Sequence, residues 1–348
     1  MKQTKHRYSN FEVLRIVSMT GIIALHYLNS EIGGAIQNAV FPNFSWVFTH
    51  LINSICVPLV NCFVLISGYF LINRNSFTLR KSVDLLIITA FYGVLAYGIS
   101  LLSGNNYFSY KSLFFSILPF LDGKRWFVET YIILILLAPF LNKLLLSLNR
   151  QSYKILLIIQ IFLFSIWYSI GFSAPLIDDG YGIINFITLY MIGGYLKLYY
   201  ENLRLYKLNK REILLMFVGL SILTFLLSYF INPYGYAFIT NILGATVLFS
   251  FFMKWNIGEI KSVNAISSAA LDVYFVHSDT NTSLLLIYEL LGAKYFVDTP
   301  WILIHMIFVI GVIWILGFCT YQIRTRIFAL SINKLIAKVN FINKKYEI

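Results

Sequence analysis

One apolar stretch near the start of the chain contains three ionisable residues, Glu12, Arg15 and His26. Arg15 and His26 are eleven residues apart. At about 100° per residue this spacing returns them to nearly the same face of a helix and separates them by roughly 16 Å along its axis. Because a neutral imidazole titrates near neutral pH, His26 could take a proton from an alcohol while a carboxylate orients its ring. The pattern indicates general-base chemistry.

Other candidate side chains lie in later apolar stretches. Glu129 is one possible carboxylate partner for His26, and Asp272 and Asp279 are others; His277, like His26, is flanked by apolar residues. An ionisable group in an apolar environment is costly unless it faces a protein interior or water, so each is a functional candidate. The alternatives are that the carboxylates only line a polar interior and that the histidines satisfy backbone carbonyls.

Arg74, Arg80 and Lys81 form a basic connection between two apolar stretches. Together with Arg15 they could bind an anionic donor, such as a nucleotide-linked acyl carrier, because guanidinium and ammonium groups pair with phosphates. Two alternatives stay open. Arg15 could extend to the lipid headgroups, and the connection could simply reflect the retention of Lys and Arg on the cytoplasmic side.

The familiar catalytic motifs are absent from the sequence: it has no P-loop, no Gly-x-Gly-x-x-Gly, no His-Glu-x-x-His and no Gly-x-Ser-x-Gly. Cys56, Cys62 and Cys319 lie in apolar stretches, and no disulfide or metal framework is recognisable. Ser67-Gly68 and Gly193-Gly194 are better explained as small residues that allow close helix approach. We therefore expect chemistry from scattered side chains, without a metal.

The composition indicates which elements must position these residues. Of 348 residues, 59% are hydrophobic and only 12% are charged, about half the charged fraction of a soluble domain. The net charge of +12 is spread between apolar stretches, which does not favour nucleic-acid binding. We expect one all-α membrane domain over residues 1–348, with a short basic cytoplasmic tail at 326–348.

A span needs about 20 mostly apolar residues, and lipid leaves no partner for a free backbone group, so helices are required. The sequence supplies ten candidate spans for a polytopic bundle. They are Phe11 to Asn29, Val47 to Ile72, Val83 to Ser103, Trp126 to Leu148, Ile155 to Phe172, Ile183 to Tyr200, Ile213 to Ile231, Tyr236 to Trp255, Val263 to Gly292 and Pro300 to Tyr321. Tyr107 to Leu121 is shorter and is predicted to be interfacial or re-entrant.

The orientation follows from the basic residues, which are retained in cytoplasmic loops. Of the 27 Lys and Arg residues, only Lys111, Lys124, Arg125 and Lys294 fall on the outer side, and Arg15 lies within the first span. Both termini are therefore expected in the cytoplasm, in a multi-pass protein of the plasma membrane. This places Arg15 near the cytoplasmic boundary and His26 in the outer half of the bilayer.

The Arg-x10-His pair in the first span resembles the signature of the membrane acyltransferase-3 family. Three further segments agree in order: Asn61 to Phe70 resembles its "FFVLSGY" element, Trp126-Phe127 followed by Pro139 its "WFL…P" element, and Val273 to His277 its "YLIH" element. The likeness extends over essentially the whole chain.

This resemblance implies transfer of an acyl group, usually acetyl, from cytoplasmic acyl-CoA to a hydroxyl of a saccharide or lipid-linked glycan. It assigns functional roles to Arg15 and His26, and donor contacts to Arg74, Arg80 and Lys81. The family's usual arginine pair is closely spaced, whereas Arg74 and Arg80 stand six apart. Many relatives carry an extra esterase-like domain outside the membrane; without one, we expect this chain to act alone or with a separate protein.

The leading hypothesis is an O-acyltransferase that modifies a cell-surface polysaccharide, with acyl-CoA, the glycan and membrane lipid as partners. His26 would be the general base, with Glu129 and His277 as further catalytic candidates, and Arg15 would position the donor or a supporting carboxylate. The alternative is a flippase or polymerase-like transporter of lipid-linked oligosaccharide. Transporters often show paired halves with Gly- or Pro-broken helices, whereas this chain has seven prolines and no corresponding halves. A sensor or scaffold would leave the Arg15 and His26 alignment unexplained.

Overall fold

The computed structural model describes residues 8–29, 32–104, 107–118, 125–171, 178–279, 283–330 and 339–347. These residues are mainly helical and fall into two compact units. The first comprises the described parts of Met1–Leu25, Trp46–Ile72 and Leu145–Ala270. The second comprises the described parts of His26–Ser45, Asn73–Leu144 and Leu271–Ile348.

Helices of very different lengths follow one another along the chain. The first eight are α1 (Ser9–Leu28), α2 (Ala35–Asn38), α3 (Phe44–Leu71), α4 (Arg80–Leu102), α5 (Tyr110–Ile117), α6 (Trp126–Ser147), α7 (Arg150–Ile161) and α8 (Trp167–Ser169). The next eight are α9 (Ile183–Tyr199), α10 (Arg204–Lys207), α11 (Lys210–Leu227), α12 (Ile239–Lys254), α13 (Lys261–Ser268), α14 (Ala270–Ser278), α15 (Ile302–Leu330) and α16 (Asn340–Asn343). π-helical turns occupy Phe162–Ile166 and Leu284–Leu290, and 3₁₀ turns occupy Tyr200–Asn202 and Ala293–Tyr295.

Six helices of the described chain are long and apolar enough to cross a membrane: Ser9–Leu28, Phe44–Leu71, Arg80–Leu102, Trp126–Ser147, Arg150–Ser169 and Ile302–Ala329. They match the first five predicted spans and the tenth. The total of ten and the cytoplasmic termini stay predictions. Helix α5 has eight residues, too few to cross the bilayer, as expected for an interfacial segment.

The ninth predicted span, Val263 to Gly292, is not one helix. Its described residues form α13, α14 and the π-helical turn, and residues 280–282 lie outside the described chain. The first interruption is at Ala269, whose N–H donates to the carbonyl of Ile266, three residues back, at 3.0 Å. This tighter turn ends α13 and lets α14 begin as a separate short helix.

In the first unit, two glycines allow α3 and α9 to approach closely. A Cβ atom added at Gly68 would lie 2.1 Å from the carbonyl oxygen of Tyr190, and one added at Gly193 would lie 2.3 Å from that of Leu65. Only a residue without a side chain fits at such backbone contacts. The interpretation of Ser67-Gly68 and Gly193-Gly194 as close-packing positions is therefore confirmed at Gly68 and Gly193.

Replacing Gly68 by Ala is expected to lower the free energy of unfolding by about 1–3 kcal/mol, because the new methyl group must displace backbone atoms. The measurement is thermal unfolding of the purified protein in detergent. Gly219→Ala in α11 is the matched control, since nothing lies within 4 Å of its added Cβ. That change should be neutral or stabilising by up to about 1 kcal/mol. Equal effects at the two positions would contradict the close contact.

In the second unit, α14 packs against α4 and α15. The ring of Tyr92 in α4 stacks on Phe275 at 4.9 Å between centroids and an interplanar angle of 10°. Gly317 in α15 faces Val273 so closely that an added Cβ would lie 2.6 Å from its Cα atom. Helix α14 is thus fixed from two sides, and with it the position of His277.

The C-terminal part of the described chain returns to the connection after α3. Strand β1 (Ser76–Phe77) pairs antiparallel with β2 (Tyr346–Glu347), with Ser76 opposite Glu347 and Phe77 opposite Tyr346. The Thr78 hydroxyl also donates to the Ile342 carbonyl at 3.3 Å. Residues 326–330 of the predicted basic tail belong to α15, whereas residues 331–338 and 348 lie outside the described chain.

Candidate active site

Two histidines meet in the second unit. His26 lies in the last turn of α1, and His277 lies in the last turn of α14. Their ring centroids are 4.9 Å apart with an interplanar angle of 64°. His26 Nδ1 lies 2.8 Å from the carbonyl oxygen of His277, which also accepts a hydrogen bond from Ser283 Oγ at 2.5 Å. Residues 251 positions apart in the chain are thereby brought into one cluster.

The hydrogen bonds determine which ring nitrogens can act as bases. His277 Nδ1 faces a carbonyl as well, that of Val273 at 2.6 Å. A carbonyl oxygen only accepts, so in each neutral imidazole the Nδ1 atom carries the proton and Nε2 carries the lone pair. His277 is fully buried, and its Nε2 atom has no hydrogen-bond partner within the described chain. The cluster therefore offers two Nε2 lone pairs, the form of imidazole that accepts a proton.

The group that orients His26 differs from the expectation. A carboxylate from Glu129, Asp272 or Asp279 was expected to orient its ring, but the structure places the backbone carbonyl of His277 at the Nδ1 atom. A carbonyl fixes the tautomer as well as a carboxylate does. Unlike a carboxylate, it adds no full negative charge beside the ring.

Glu129 lies at the start of α6 and stabilises that end of the helix. Its Oε1 atom accepts the backbone N–H of Arg125 at 3.1 Å, where a carboxylate also interacts favourably with the helix dipole. Two residues before Glu129, the ring of Phe127 lies 5.9 Å between centroids from that of Tyr274 in α14. The Tyr274 ring centroid lies 6.3 Å from that of His277. The helix that carries Glu129 therefore contacts the helix that carries His277.

Arg125 was not among the predicted site residues, because it was counted among the outer loop charges. Only 3% of its surface is exposed, and its guanidinium carbon lies 5.8 Å from the ring centroid of Phe275. A buried arginine over an aromatic face is typical of a cation–π contact. The one signal in the sequence was its place directly before Trp126-Phe127.

A buried ion pair holds α14 in place. Arg324 of α15 donates to both carboxylate oxygens of Asp272, from Nε at 2.5 Å and from Nη2 at 3.0 Å. The Tyr92 hydroxyl donates to the same carboxylate at 2.7 Å. Arg324 lies beyond the tenth predicted span, Pro300 to Tyr321, and was not expected to pair with Asp272, although a carboxylate in an apolar stretch already implied a cationic partner. Asp272 thus positions α14 five residues before His277.

Arg15 lies in the first unit and is held by its own helix. Its Nη1 atom is 2.5 Å from Glu12 Oε1, and the other oxygen of Glu12 accepts from Ser267 Oγ at 2.5 Å. The Arg15 side chain keeps 31% of its surface exposed. Arg15 and His26 both belong to α1, as the spacing predicted.

The three basic residues predicted to contact the donor lie on the connection from α3 to α4 and at the start of α4. Arg74 is exposed, and its carbonyl accepts from Asn142 Nδ2 at 2.9 Å. Arg80 pairs with Asp84 at 3.0 Å, and Lys81 is exposed. Their side chains are accessible, and their contact with a donor stays a prediction.

The other two described histidines of the apolar helices are held differently. His305 has both nitrogens occupied, Nε2 by the Leu291 carbonyl at 2.9 Å and Nδ1 by the Tyr27 hydroxyl at 2.9 Å. His50 stacks on Trp46 at 4.0 Å between centroids, and its Nδ1 atom faces the Trp46 carbonyl at 2.9 Å. Both residues are therefore held by contacts within the protein.

Comparison with known proteins identifies the family to which the chain belongs. The model of a family described as "Acyltransferase domain" matches residues 8–321. No curated protein and no solved structure matches the chain. The matched region begins before α1 and ends within α15, so it includes the histidine pair and all the candidate site residues except Arg324. The chain therefore belongs to the acyltransferase-3 family and is a membrane acyltransferase.

Proposed function

We propose that the protein transfers an acyl group, with acetyl as the expected group, from cytoplasmic acyl-CoA to a hydroxyl of a cell-surface polysaccharide or lipid-linked glycan at the plasma membrane. The observation that carries this proposal is the His26 and His277 pair, in which both Nδ1 atoms face carbonyls. The Nε2 atom of each ring then keeps its lone pair, which is the form in which an imidazole takes a hydroxyl proton. Alcohols need such a base because their oxygen is a weak nucleophile while it keeps its proton.

The proposed reaction uses His26 as the general base. Its Nε2 atom takes the hydroxyl proton as the acceptor oxygen forms a bond to the carbonyl carbon of the thioester. The carbon–sulfur bond then breaks, and the coenzyme A thiolate takes the proton from His26. The products are an ester and free coenzyme A, and the histidine returns to its starting form. Arg125, which is buried with its guanidinium carbon 5.8 Å from the Phe275 ring centroid, is the cation proposed to stabilise the developing oxyanion.

The proposed binding of the acyl donor depends on positively charged side chains. Coenzyme A carries phosphate groups, which guanidinium and ammonium groups bind strongly. Arg74, Arg80 and Lys81 supply such groups on one connection with accessible side chains. Arg15, which is paired with Glu12, keeps its proposed role of positioning the donor or a supporting carboxylate.

The test uses membranes from cells that lack the gene and from the same cells carrying it on a plasmid. With labelled acetyl-CoA, we expect label in the glycan fraction only where the protein is present. Mass spectrometry of the surface glycan should show the loss of one acyl group in the deletion strain. Movement of labelled glycan lipid into vesicles without acetyl-CoA, with no label transferred, would instead support the transporter alternative.

A further inference from the structure

The C-terminal part of the described chain is attached twice to the connection between α3 and α4. Strand β2 pairs with β1, which places Tyr346 opposite Phe77. Four residues before Tyr346, the Ile342 carbonyl accepts a hydrogen bond from the Thr78 hydroxyl at 3.3 Å. Because a chain advances at most about 3.6 Å per residue, residues 343–345 lie no more than about 7 Å from an attached residue. This part of the tail is therefore kept beside the connection.

The connection is in turn fixed on α6. The Arg74 carbonyl accepts a hydrogen bond from Asn142 Nδ2 at 2.9 Å. The Phe77 ring lies 6.2 Å between centroids from that of Phe140 in α6, and 6.3 Å from that of Tyr346. The paired strands are therefore a defined part of the second unit.

The pairing brings positive charge together. The two paired segments contribute five basic residues, which are Arg74, Arg80, Lys81, Lys344 and Lys345. Residues 73–84 and 339–347 contain two acidic residues, and one of them, Asp84, already pairs with Arg80. Retention of Lys and Arg in the cytoplasm explains why each segment is basic, but it does not require two basic segments to pair. Because like charges repel, the paired segments favour a bound anion.

The start of α4 favours an anion at the same place. This helix begins at Arg80, so the positive end of its dipole lies at the connection, where a phosphate is stabilised. Thr78 joins this end to the tail, since its hydroxyl accepts from the Arg80 N–H at 3.3 Å and donates to the Ile342 carbonyl at 3.3 Å. The helix start, the connection and the tail thus form one basic surface.

We propose that the C-terminal tail forms part of the site that binds the phosphates of the acyl donor, with Lys344 and Lys345 as donor-binding residues. Both lysines are exposed. Their ligand is the nucleotide end of coenzyme A, which carries several phosphates and so can use several cations at once. Both lysines lie beyond residue 321, where the matched family region ends. This inference rests on the proposed function and adds residues to its donor site.

The experiment measures the binding of coenzyme A to the purified full-length protein in nanodiscs of phosphatidylcholine, by calorimetry. Replacing both lysines, Lys344→Gln with Lys345→Gln, is expected to raise the Kd by about threefold to tenfold, because each change removes one partly screened contact with a phosphate. Lys344→Arg with Lys345→Arg keeps the charges and should stay near the wild-type Kd. In acyl transfer, the Gln variant should raise the KM for acetyl-CoA and leave kcat unchanged, because the lysines do not touch the reacting atoms.

Lys207→Gln with Lys210→Gln is the matched control, since it removes two exposed lysines from another connection. Its Kd should equal that of the wild type. An equal rise in this control, an unchanged or lower Kd in the Lys344 and Lys345 Gln variant, or a Kd in the Arg variant as high as in the Gln variant would each overturn the inference.

A second arm separates the donor from membrane lipid, whose headgroups also carry phosphate. The Gln variant should show its higher Kd in phosphatidylcholine alone. A difference that appears only when the nanodiscs contain phosphatidylglycerol would assign the lysines to lipid headgroups and overturn the inference. If the wild type itself binds no coenzyme A, the donor of the proposed function is wrong. Tight binding by the wild type and the Gln variant alike would overturn this inference and leave the proposed function standing.

Discussion

Replacing His26 by Ala is expected to lower the rate of acyl transfer by about 10²–10⁴-fold. In the wild type the His277 carbonyl accepts the proton on Nδ1, which leaves the lone pair on Nε2. The change removes this lone pair. The rate is measured as the transfer of labelled acetyl from acetyl-CoA to the glycan acceptor by purified protein. Transfer at the wild-type rate would show that His26 is not the base.

His26→Asn is the sharper companion variant. Its amide N–H can replace the Nδ1 donor to the His277 carbonyl, but the side chain has no basic nitrogen. We expect it to unfold at nearly the wild-type temperature and to be as inactive as His26→Ala. If His26→Asn were active and only His26→Ala were not, the residue would be needed for its hydrogen bond alone. His50→Ala serves as the histidine control and should keep its activity.

Removing one partner of the buried ion pair is expected to have the largest effect on stability. Asp272→Ala should lower the free energy of unfolding by about 3–5 kcal/mol, because it leaves the Arg324 guanidinium buried without its counter-charge. Arg324 is only 8% exposed, so water cannot replace the carboxylate. The measurement is the unfolding of purified protein in detergent. Activity should fall as well, since α14 carries His277.

Two comparisons separate this effect from a general sensitivity to charge removal. Replacing both partners, Asp272→Leu with Arg324→Leu, should recover most of the lost stability, since an apolar pair carries no desolvation cost. Arg80→Leu breaks the ion pair with Asp84, whose side chains are 30% and 39% exposed, and should cost about 0–1 kcal/mol. A loss at the buried pair as small as at Arg80 would contradict its structural role.

Much of the architecture was determined by local sequence properties. The apolar content excluded a soluble domain, and the length of each apolar stretch predicted where six long helices lie. The interval of eleven residues placed Arg15 and His26 on one helix. Gly68 and Gly193 were recognised as packing positions, because a residue without a side chain in a membrane helix usually marks a close contact. Each of these properties depends only on neighbouring residues.

Only the tertiary structure decided which residues form hydrogen bonds and ion pairs with the candidate site residues. His26 is oriented by a carbonyl 251 residues away, and Asp272 pairs with an arginine 52 residues away. The tertiary structure also shows that the predicted ninth span is interrupted at Ala269 and that Arg125 is buried, although the charge distribution had assigned Arg125 to a loop. Helical periodicity tells which face and depth a residue occupies, but the residue that meets it there depends on how distant helices pack. For that reason the sequence identified the candidate base, while its tautomer and its contact with the His277 ring emerged only from the fold.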